Sequence, residues 1–517
     1  MHPFVSAQGN DQLINSLADE LSDRKTVEQA IDKIVSSEAD ARKRWLQSIL
    51  DGKLYIRKSD KQVFFTEKTQ AGFTLRAAVD NSPAGQAGKR DVRKIKINNA
   101  LRSKLRLALA RLSLQDPDAT VRYEAVEQMI DSLGDENVSL IDSLVQSEPD
   151  DKVQKLMVLA VDLHRLDRGN EPEIVASIEN VGLNTRPSVT RRLQALSESD
   201  NANVAEAALQ SLTNIQSRIS LFEKVETLLF GLSLGSVLAM AAIGLAITFG
   251  VMGVINMAHG EMIMLGAYCT WFLQTAIPGF TEYSLVLAIP FAFGTTFLIG
   301  VVIEFLVIRH LYGRPLETLL ATFGISLLLQ QSVRTLVSPQ NVPVSNPEWL
   351  SGQWEIDPAL SIAVNRLVIF FFCLLVFMVL MWVLRKTFFG LKVRAVSQNR
   401  QMARAMGAHS SRIDSMTFGL GAGIAGVAGV ALSQLTNVGP NMGQSYIVDS
   451  FMVVVFGGVG NLWGTLLAGL TLGVANKFLE PWVGAVLAKI VVLVFIILFI
   501  QRYPRGLFPQ RGRAAGN

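Results

Sequence analysis

The chain has 517 residues, 50% of them hydrophobic, and a formal net charge of +4; its mean hydropathy is +0.32. Nothing in that charge points to a nucleic-acid partner, and the two cysteines, Cys269 and Cys373, sit far apart in apolar runs, which excludes a disulfide framework or a zinc spacing. The average hides two unlike halves: residues 1–222 are rich in charge, whereas 223–517 carry long runs with almost none, each long enough to span ~30 Å of hydrocarbon at 1.5 Å per residue.

At the start, Val5-Ser6-Ala7 has the small-residue pattern of a signal-peptide cleavage site, without the basic and apolar segments that would precede it. It reads either as the remnant of a trimmed signal or as a chance match. Leu13, Leu17 and Leu21 recur at helical spacing, and Thr26-Val27-Glu28-Gln29 predicts a capping box leading into a face of Ala30, Ile31 and Ile34. Two β-prone runs, 54–56 and 63–65, predict one short hairpin. From about 100 to 215 the pattern is helical and weakly repetitive. Acidic turns at Asp116-Pro117-Asp118, Glu148-Pro149-Asp150-Asp151 and Ser199-Asp200-Asn201 each precede a helix whose apolar face starts at a valine. That spacing resembles HEAT-type repeats, which make binding surfaces; a plain helical bundle that orients the second half fits it as well.

The second half reads as a polytopic helical membrane domain. Nine apolar runs between 226 and 501 predict about eight or nine crossings, the short runs 447–459 and 463–477 being either two spans or a re-entrant pair. The expected fold class is therefore all-α: a soluble, mainly helical domain with one hairpin, followed by the membrane domain. Lys and Arg loops stay cytoplasmic. The segment 385–412, the turn 309–315 and the tail from Arg502 through Arg511 and Arg513 are basic and should lie inside; 338–365 and 436–446 have no basic residue and should lie outside. Counting back places 253–261 inside and the N-terminal domain outside.

Several motifs interrupt the apolar pattern. Asn256-Met257-Ala258-His259-Gly260-Glu261 lies between two spans, where polar residues line a solute path or form a polar turn. Glu304 and Lys489 lie within spans and Asp449 near the end of one; Glu304 pairs with Lys489 or, as the safer expectation, with the nearby Arg309. Gly421-Ala422-Gly423-Ile424-Ala425-Gly426 matches Gly-x-Gly-x-x-Gly but sits mid-span with no preceding strand, so a dinucleotide site is rejected. Gly419, Gly423, Gly426 and Gly429 instead form a small-residue ladder suited to close helix packing in lipid. The run from Gly390 through Arg394-Ala395-Val396-Ser397-Gln398-Asn399 to Ala403-Arg404-Ala405-Met406-Gly407 predicts a short basic amphipathic helix, with Val393, Val396, Met402, Ala403 and Met406 as its strip. Such a helix lies on a membrane surface or docks in a partner's groove. No nucleophile–base pair, metal cluster or phosphate-binding Gly-x-x-x-x-Gly-Lys-Ser/Thr is found, so no catalytic, metal or cofactor role is expected.

Gly231-Leu232-Ser233-Leu234-Gly235-Ser236 through Asn256-Met257-Ala258-His259-Gly260-Glu261, together with Arg314-Pro315-Leu316-Glu317-Thr318-Leu319-Leu320-Ala321-Thr322-Phe323-Gly324, resembles branched-chain amino-acid type ABC permeases. The resemblance covers nearly all of 226–510. It implies that Arg394 to Gly407 couples to an ATPase subunit, with Arg394-Ala395-Val396 standing where other importers carry Glu-Ala-Ala. The added N-terminal domain, with Ile49-Leu50-Asp51-Gly52-Lys53-Leu54-Tyr55, resembles the permease subunit of bacterial urea importers. That resemblance implies urea import across the bacterial inner membrane. The implied partners are a second related permease, two ATPases, an external, periplasmic solute-binding protein and membrane lipid. Asn256, His259, Glu261 and Asn461 are the candidates for the solute path. Branched-chain amino acids or short amides are the alternative cargo. A passive channel, which leaves the basic segment unexplained, and a sensor are the rival classes.

Overall fold

The computed structural model describes residues 13–508 except 24, 38–40, 70–71, 131–132, 278 and 280; Val5-Ser6-Ala7, Arg511 and Arg513 lie outside the described residues. The chain divides into two compact units, Met1–Arg218 and Ile219–Asn517.

The first unit opens with four short helices, α1 (Leu13–Ser16), α2 (Ala18–Ser22), α3 (Val27–Val35) and α4 (Arg42–Leu50). Leu17, Leu21, Ala30, Ile31 and Ile34 are buried, as their helical spacing predicts. The capping box does not form. Thr26 is itself near-helical (φ −109°, ψ −10°) and makes no side-chain cap. Its hydroxyl donates instead to the Glu20 carbonyl at 2.9 Å, satisfying the open end of the preceding helix. The expected hairpin is present as β1 (Leu54–Arg57) and β2 (Val63–Lys68), with Leu54 opposite Phe65 and Ile56 opposite Val63. It is only the middle of a larger sheet. With β3 (Phe73–Ala77), β4 (Pro83–Ala87) and β5 (Val92–Lys94) it makes five antiparallel strands in the order β4-β3-β2-β1-β5. The additional strands escape a period-two reading because β4 is an edge strand holding Pro83 and Gly85, tolerated only where one side of the ladder is open.

Six helices follow: α5 (Asn99–Ser113), α6 (Ala119–Ile130), α7 (Asp135–Val145), α8 (Asp151–Arg168), α9 (Glu171–Val181) and α10 (Pro187–Leu196). The acidic turns act as helix starts. Asp150 accepts from the backbone of Lys152 and Val153 at 2.9 and 3.1 Å, and Asn201 accepts from Asn203 at 3.0 Å. Arg122 ties two of these turns together: it pairs with Glu148 at 2.6 Å and donates to the Asp116 carbonyl at 2.7 Å. The hydrogen bond from Arg122 holds the Glu148 carboxyl below the usual carboxylate range. Asp162 on α8 is the opposite case, since burial pushes its carboxyl up despite hydrogen bonds from Asn180 and Ser177.

Helix α11 (Ala202–Met252) begins in the first unit and ends in the second. The second unit continues with α12 (His259–Ala276), α13 (Thr281–Leu306), a 3-10 turn (Ile308–Leu311), α14 (Pro315–Leu336) and α15 (Glu348–Ser351). The hairpin β6 (Gln353–Asp357) and β7 (Leu360–Ala363) comes next, then α16 (Val364–Lys386), α17 (Phe388–Gln398) and α18 (Arg400–Ala405). The unit closes with α19 (Ser410–Ser433), α20 (Met442–Gly457), α21 (Leu462–Val483) and α22 (Ala485–Arg502). Seven of the described helices are long and apolar enough to cross a membrane: α11, α13, α14, α16, α19, α21 and α22. Helices α12 and α20, counted among the eight or nine expected, fall short, α12 because it is too polar and α20 because it is too short. The turn between α20 and α21 is made by Gly458 (φ +101°) and Gly460 (φ +77°), a backbone that a side chain would strain.

Helix α19 is the centre of this unit. It is buried along almost its whole length between α12 and α13. The hairpin β6–β7 was not anticipated from sequence, although Gln353-Trp354-Glu355-Ile356-Asp357 alternates polar and apolar residues; Trp354, Glu355 and Ile356 are exposed.

Candidate functional site

After Met252 the backbone leaves the helix through Gly253 (φ +68°) and re-enters it at His259. The polar residues of this break are not on a surface. Asn256, His259 and Glu261 are all buried. Asn256 Oδ1 accepts from the Ala258 backbone at 3.0 Å, an arrangement that shapes the turn. His259 Nε2 lies 2.9 Å from the Ala241 carbonyl of α11. Glu261 Oε1 accepts from Ser326 Oγ at 2.9 Å and from Gln330 Nε2 at 2.7 Å, both on α14. Its other oxygen, Oε2, has no hydrogen-bond partner among the described residues, and neither has His259 Nδ1. Gly443 on α20 lies beside that free oxygen: a β-carbon there would sit 2.8 Å from Glu261 Oε2. Ser326 and Gln330 were missed in the sequence. With Thr318 and Thr322 they recur every fourth residue, so the four share one buried polar face, which is the signal that marks them.

Asn461 does not join this cluster. It caps α21, accepting from Gly464 N at 3.2 Å, and donates to the Phe508 carbonyl at 3.1 Å.

The basic segment is two helices rather than one. Asn399 breaks it with extended dihedrals (φ −147°, ψ 98°), ending α17 and capping α18 through Met402 N. The amphipathic strip also faces a different way from the expectation. Val393, Val396 and Ala403 pack with Ile413 of α19 into a small internal core; Val396 is 1% exposed and Ala403 6%. They hold the segment to its own chain and are not free to fill a partner's groove. Phe388, Leu391, Met402 and Met406 are the exposed apolar side chains, Met406 at 83%. Gly390 lets α17 approach the Leu384 backbone, which a β-carbon would strike, and Arg394 donates to the Leu384 carbonyl. Ala395, Gln398 and Arg404 are exposed, Arg404 reaching Ser410 at 2.7 Å, and Gly407 (φ +84°) follows the end of α18.

One buried carboxylate anchors this segment to a span, and a second ties two spans together. Arg400 on α18 makes a two-pronged pair with Asp414 on α19, at 2.7 and 2.9 Å, and lies over the Tyr312 ring. Glu304 on α13 takes Arg309 at 3.5 Å and the Ser415 hydroxyl of α19. Glu304 thus has its local partner; Lys489 pairs instead with Asp449, at 2.9 Å.

The glycine ladder lies inside the unit. A β-carbon on Gly419 or Gly423 would meet Phe297 or Phe293 of α13. On Gly426 it would strike Thr296, and on Gly429 the Ile263 carbonyl of α12. Among the described residues no group of three His, Cys, Asp or Glu side chains converges as a metal site.

Residues 227–500 match the family described as branched-chain amino acid transport system, permease component. The high-affinity branched-chain amino acid permease protein LivH of Escherichia coli K12 is 30% identical over 287 residues, which is 54% of this chain and 92% of that protein. BraD of Pseudomonas aeruginosa, of the same description, is 30% identical over 300 residues, 56% of this chain and 96% of its own length. A probable LivH of Methanocaldococcus jannaschii is 24% identical over 283 residues, 53% and 88% of the two chains. No solved structure matches.

Proposed function

Since this chain belongs to the branched-chain amino acid ABC permease family, a transport component rather than an enzyme, we propose that it imports a small, neutral, amide-like solute, urea in the first instance. The observation that carries this reading is the buried Glu261–Ser326–Gln330 cluster with its free carboxylate oxygen. An unpaired buried acceptor is costly unless a partner satisfies it. A planar solute rich in N–H donors supplies that partner, and Gln330 and Ser326 offer both donor and acceptor atoms beside it. The resemblance of the first unit to urea-importer permeases supports the same cargo. The relatives' names favour the second reading, branched-chain amino acids.

In this reading residues 385–412 face the cytoplasm. Leu391, Met402 and Met406, with Arg404 beside them, contact an ATPase subunit, while Val393, Val396 and Ala403 give that surface its footing. A second permease, a pair of ATPases and an external binding protein complete the assembly. Helices α5 to α10 of the first unit, which follow its five-stranded sheet, pair in the HEAT manner, and the unit lies on the outer side of the inner membrane. Labelling of Ser143→Cys by an impermeant thiol reagent in intact spheroplasts tests the orientation; reaction only after lysis reverses it.

The test of cargo is uptake of labelled urea, acetamide and leucine by cells with and without this chain, before and after ATP depletion. Urea uptake lost on depletion supports the proposal. Leucine uptake alone selects the second reading, and uptake that survives depletion makes the protein a passive channel. Glu261→Gln should reduce uptake at least tenfold with the assembled protein still present.

A further inference from the structure

The second unit holds a cavity of about 340 Å³, within the range of small-molecule sites of ~300–1,000 Å³. It is a half-open pocket lined by the last turns of α11, the end of α16, one face of α17 and the turn Gly460–Trp463. Its lining is divided in kind. Ile247, Met381, Leu384 and Trp463 make the apolar part; Arg385, Arg394, Ser397 and Asn461 make the polar part, and no carboxylate lines it. The cavity lies where α16 changes from an uninterrupted apolar run to Arg385 and Lys386. That change marks the depth at which a bilayer passes from acyl chain to headgroup.

From this arrangement we propose that the cavity binds the phosphodiester headgroup of an anionic phospholipid, with an acyl chain against Met381, Leu384 and Trp463. Arginine suits the phosphate because its planar fork meets two oxygens at once. Arg394 is fixed for that role: it donates to the Leu384 carbonyl, the open end of α16, and so its position does not depend on a floppy stem. Arg385 stands on the neighbouring helix, and Ser397 and Asn461 add a hydroxyl and an amide. Trp463, half exposed and edge-on to Phe377, is the amphipathic side chain favoured at a lipid–water boundary. Zwitterionic lipid is disfavoured, since its choline or ethanolamine cation would enter a site that already holds two guanidinium groups.

The site touches the proposed coupling segment through Arg394 and Ser397. Lipid bound there would brace α17 against α16, so anionic lipid becomes a condition for firm coupling. The proposal rests on the membrane-permease reading only for which leaflet supplies the lipid.

The test uses the full chain purified with its co-expressed subunits in mild detergent and titrated with phosphatidylglycerol, phosphatidylcholine of the same acyl chains, or inorganic phosphate. Bound lipid is counted by native mass spectrometry. The wild type should retain phosphatidylglycerol in preference to phosphatidylcholine, and millimolar phosphate should not displace it. Arg385→Gln, an exposed position that leaves the fold intact, should weaken retention roughly fivefold, and adding Arg394→Gln roughly fivefold again. Arg385→Lys should restore most of the loss. Equal retention by wild type and double variant overturns the site. Displacement by phosphate alone overturns the lipid in favour of a free anion. Impermeant labelling of Lys392→Cys in intact spheroplasts would overturn the cytoplasmic placement and leave lipid retention as measured, so the two failures remain distinct.

Discussion

The two units differ in what lets their elements approach one another. In the first, Trp45, Phe64, Leu46, Ile31 and Leu105 are inside and fully buried, and Arg122 and Asp162 are the charged residues buried with them among those described. In the second, large side chains such as Met262, Ile263, Phe418 and Ile424 are buried too, but between them α12, α13 and α19 meet at glycine, alanine and small polar residues, whereas Leu316, Leu320, Phe371, Phe388 and Trp482 point outward. Water drives large apolar side chains inward because their hydration is costly. Lipid removes that drive, so the close approach of helix backbones matters more, and small residues stand where the helices touch. The lesson is that a glycine in α19 is the counterpart of a tryptophan in the soluble core: each is where its own solvent makes packing most demanding.

The sharpest way to break the comparison is to enlarge the small interior. Gly429→Leu places four carbons where the Ile263 carbonyl lies, with no flexible neighbour to yield. No monodisperse protein should be recoverable from membranes by size-exclusion chromatography. Gly324→Leu is the control, because nothing lies within 4 Å of the added β-carbon, and it should behave as wild type.

The reverse change belongs to the soluble unit. Trp45→Ala empties the centre of its core and leaves the Ala78 carbonyl without the 2.6 Å bond from Trp45 Nε1. A loss of about 3–5 kcal/mol is expected, read by hydrogen exchange of α3 and α4 in the full chain. Leu320→Ala on the outer face of α14 should stay within about 0.5 kcal/mol. A larger effect would mark Leu320 as covered by another subunit.

Polar groups sharpen the comparison further. Arg400→Ala leaves Asp414 buried without its paired cation, whereas Arg400→Lys keeps the charge and loses the two-pronged geometry. The alanine variant should insert normally yet lose most solute uptake, while ATP hydrolysis by the ATPase subunits purified with it no longer responds to solute. The lysine variant should fall between it and the wild type. Unchanged, solute-stimulated hydrolysis in both would show that this pair only stabilises.

The smallest effect is a pH slope in the first unit. Burial raises the folded carboxyl of Asp162 above its unfolded value, so the folded state binds the proton more tightly. Stability should then fall as pH rises from the ordinary aspartate range through the raised folded value, with the penalty complete above it. Asp162→Asn should flatten that slope and be slightly more stable at neutral pH, measured by hydrogen exchange of α8 and α9 across pH 4–7.

The reach of the sequence follows the same division. Long apolar runs, the acidic helix starts at Asp150 and Asn201 and the break after Met252 are local patterns, and each was readable. What was not readable depends on residues far apart in sequence. Ser326 and Gln330 acquire meaning only when α14 is laid beside Glu261, and Arg400 only when α18 meets Asp414. The direction of the strip at Val396 and Ala403 failed for a related reason. A stripe of apolar residues states that something covers it, and here the cover is Ile413 of the same chain. The sheet was under-read because edge strands such as β4 carry few apolar residues to betray them.

The break at Asn399 changes how the segment that contains it transmits load. A continuous helix would hold both of its ends on one axis. Two short helices meeting at a capped joint form a crank. One arm is seated on the end of α16 by Gly390; the other is pinned to α19 by Arg400. Whatever held the exposed Met402 and Met406 would therefore bear on α16 and α19 together, through a single joint.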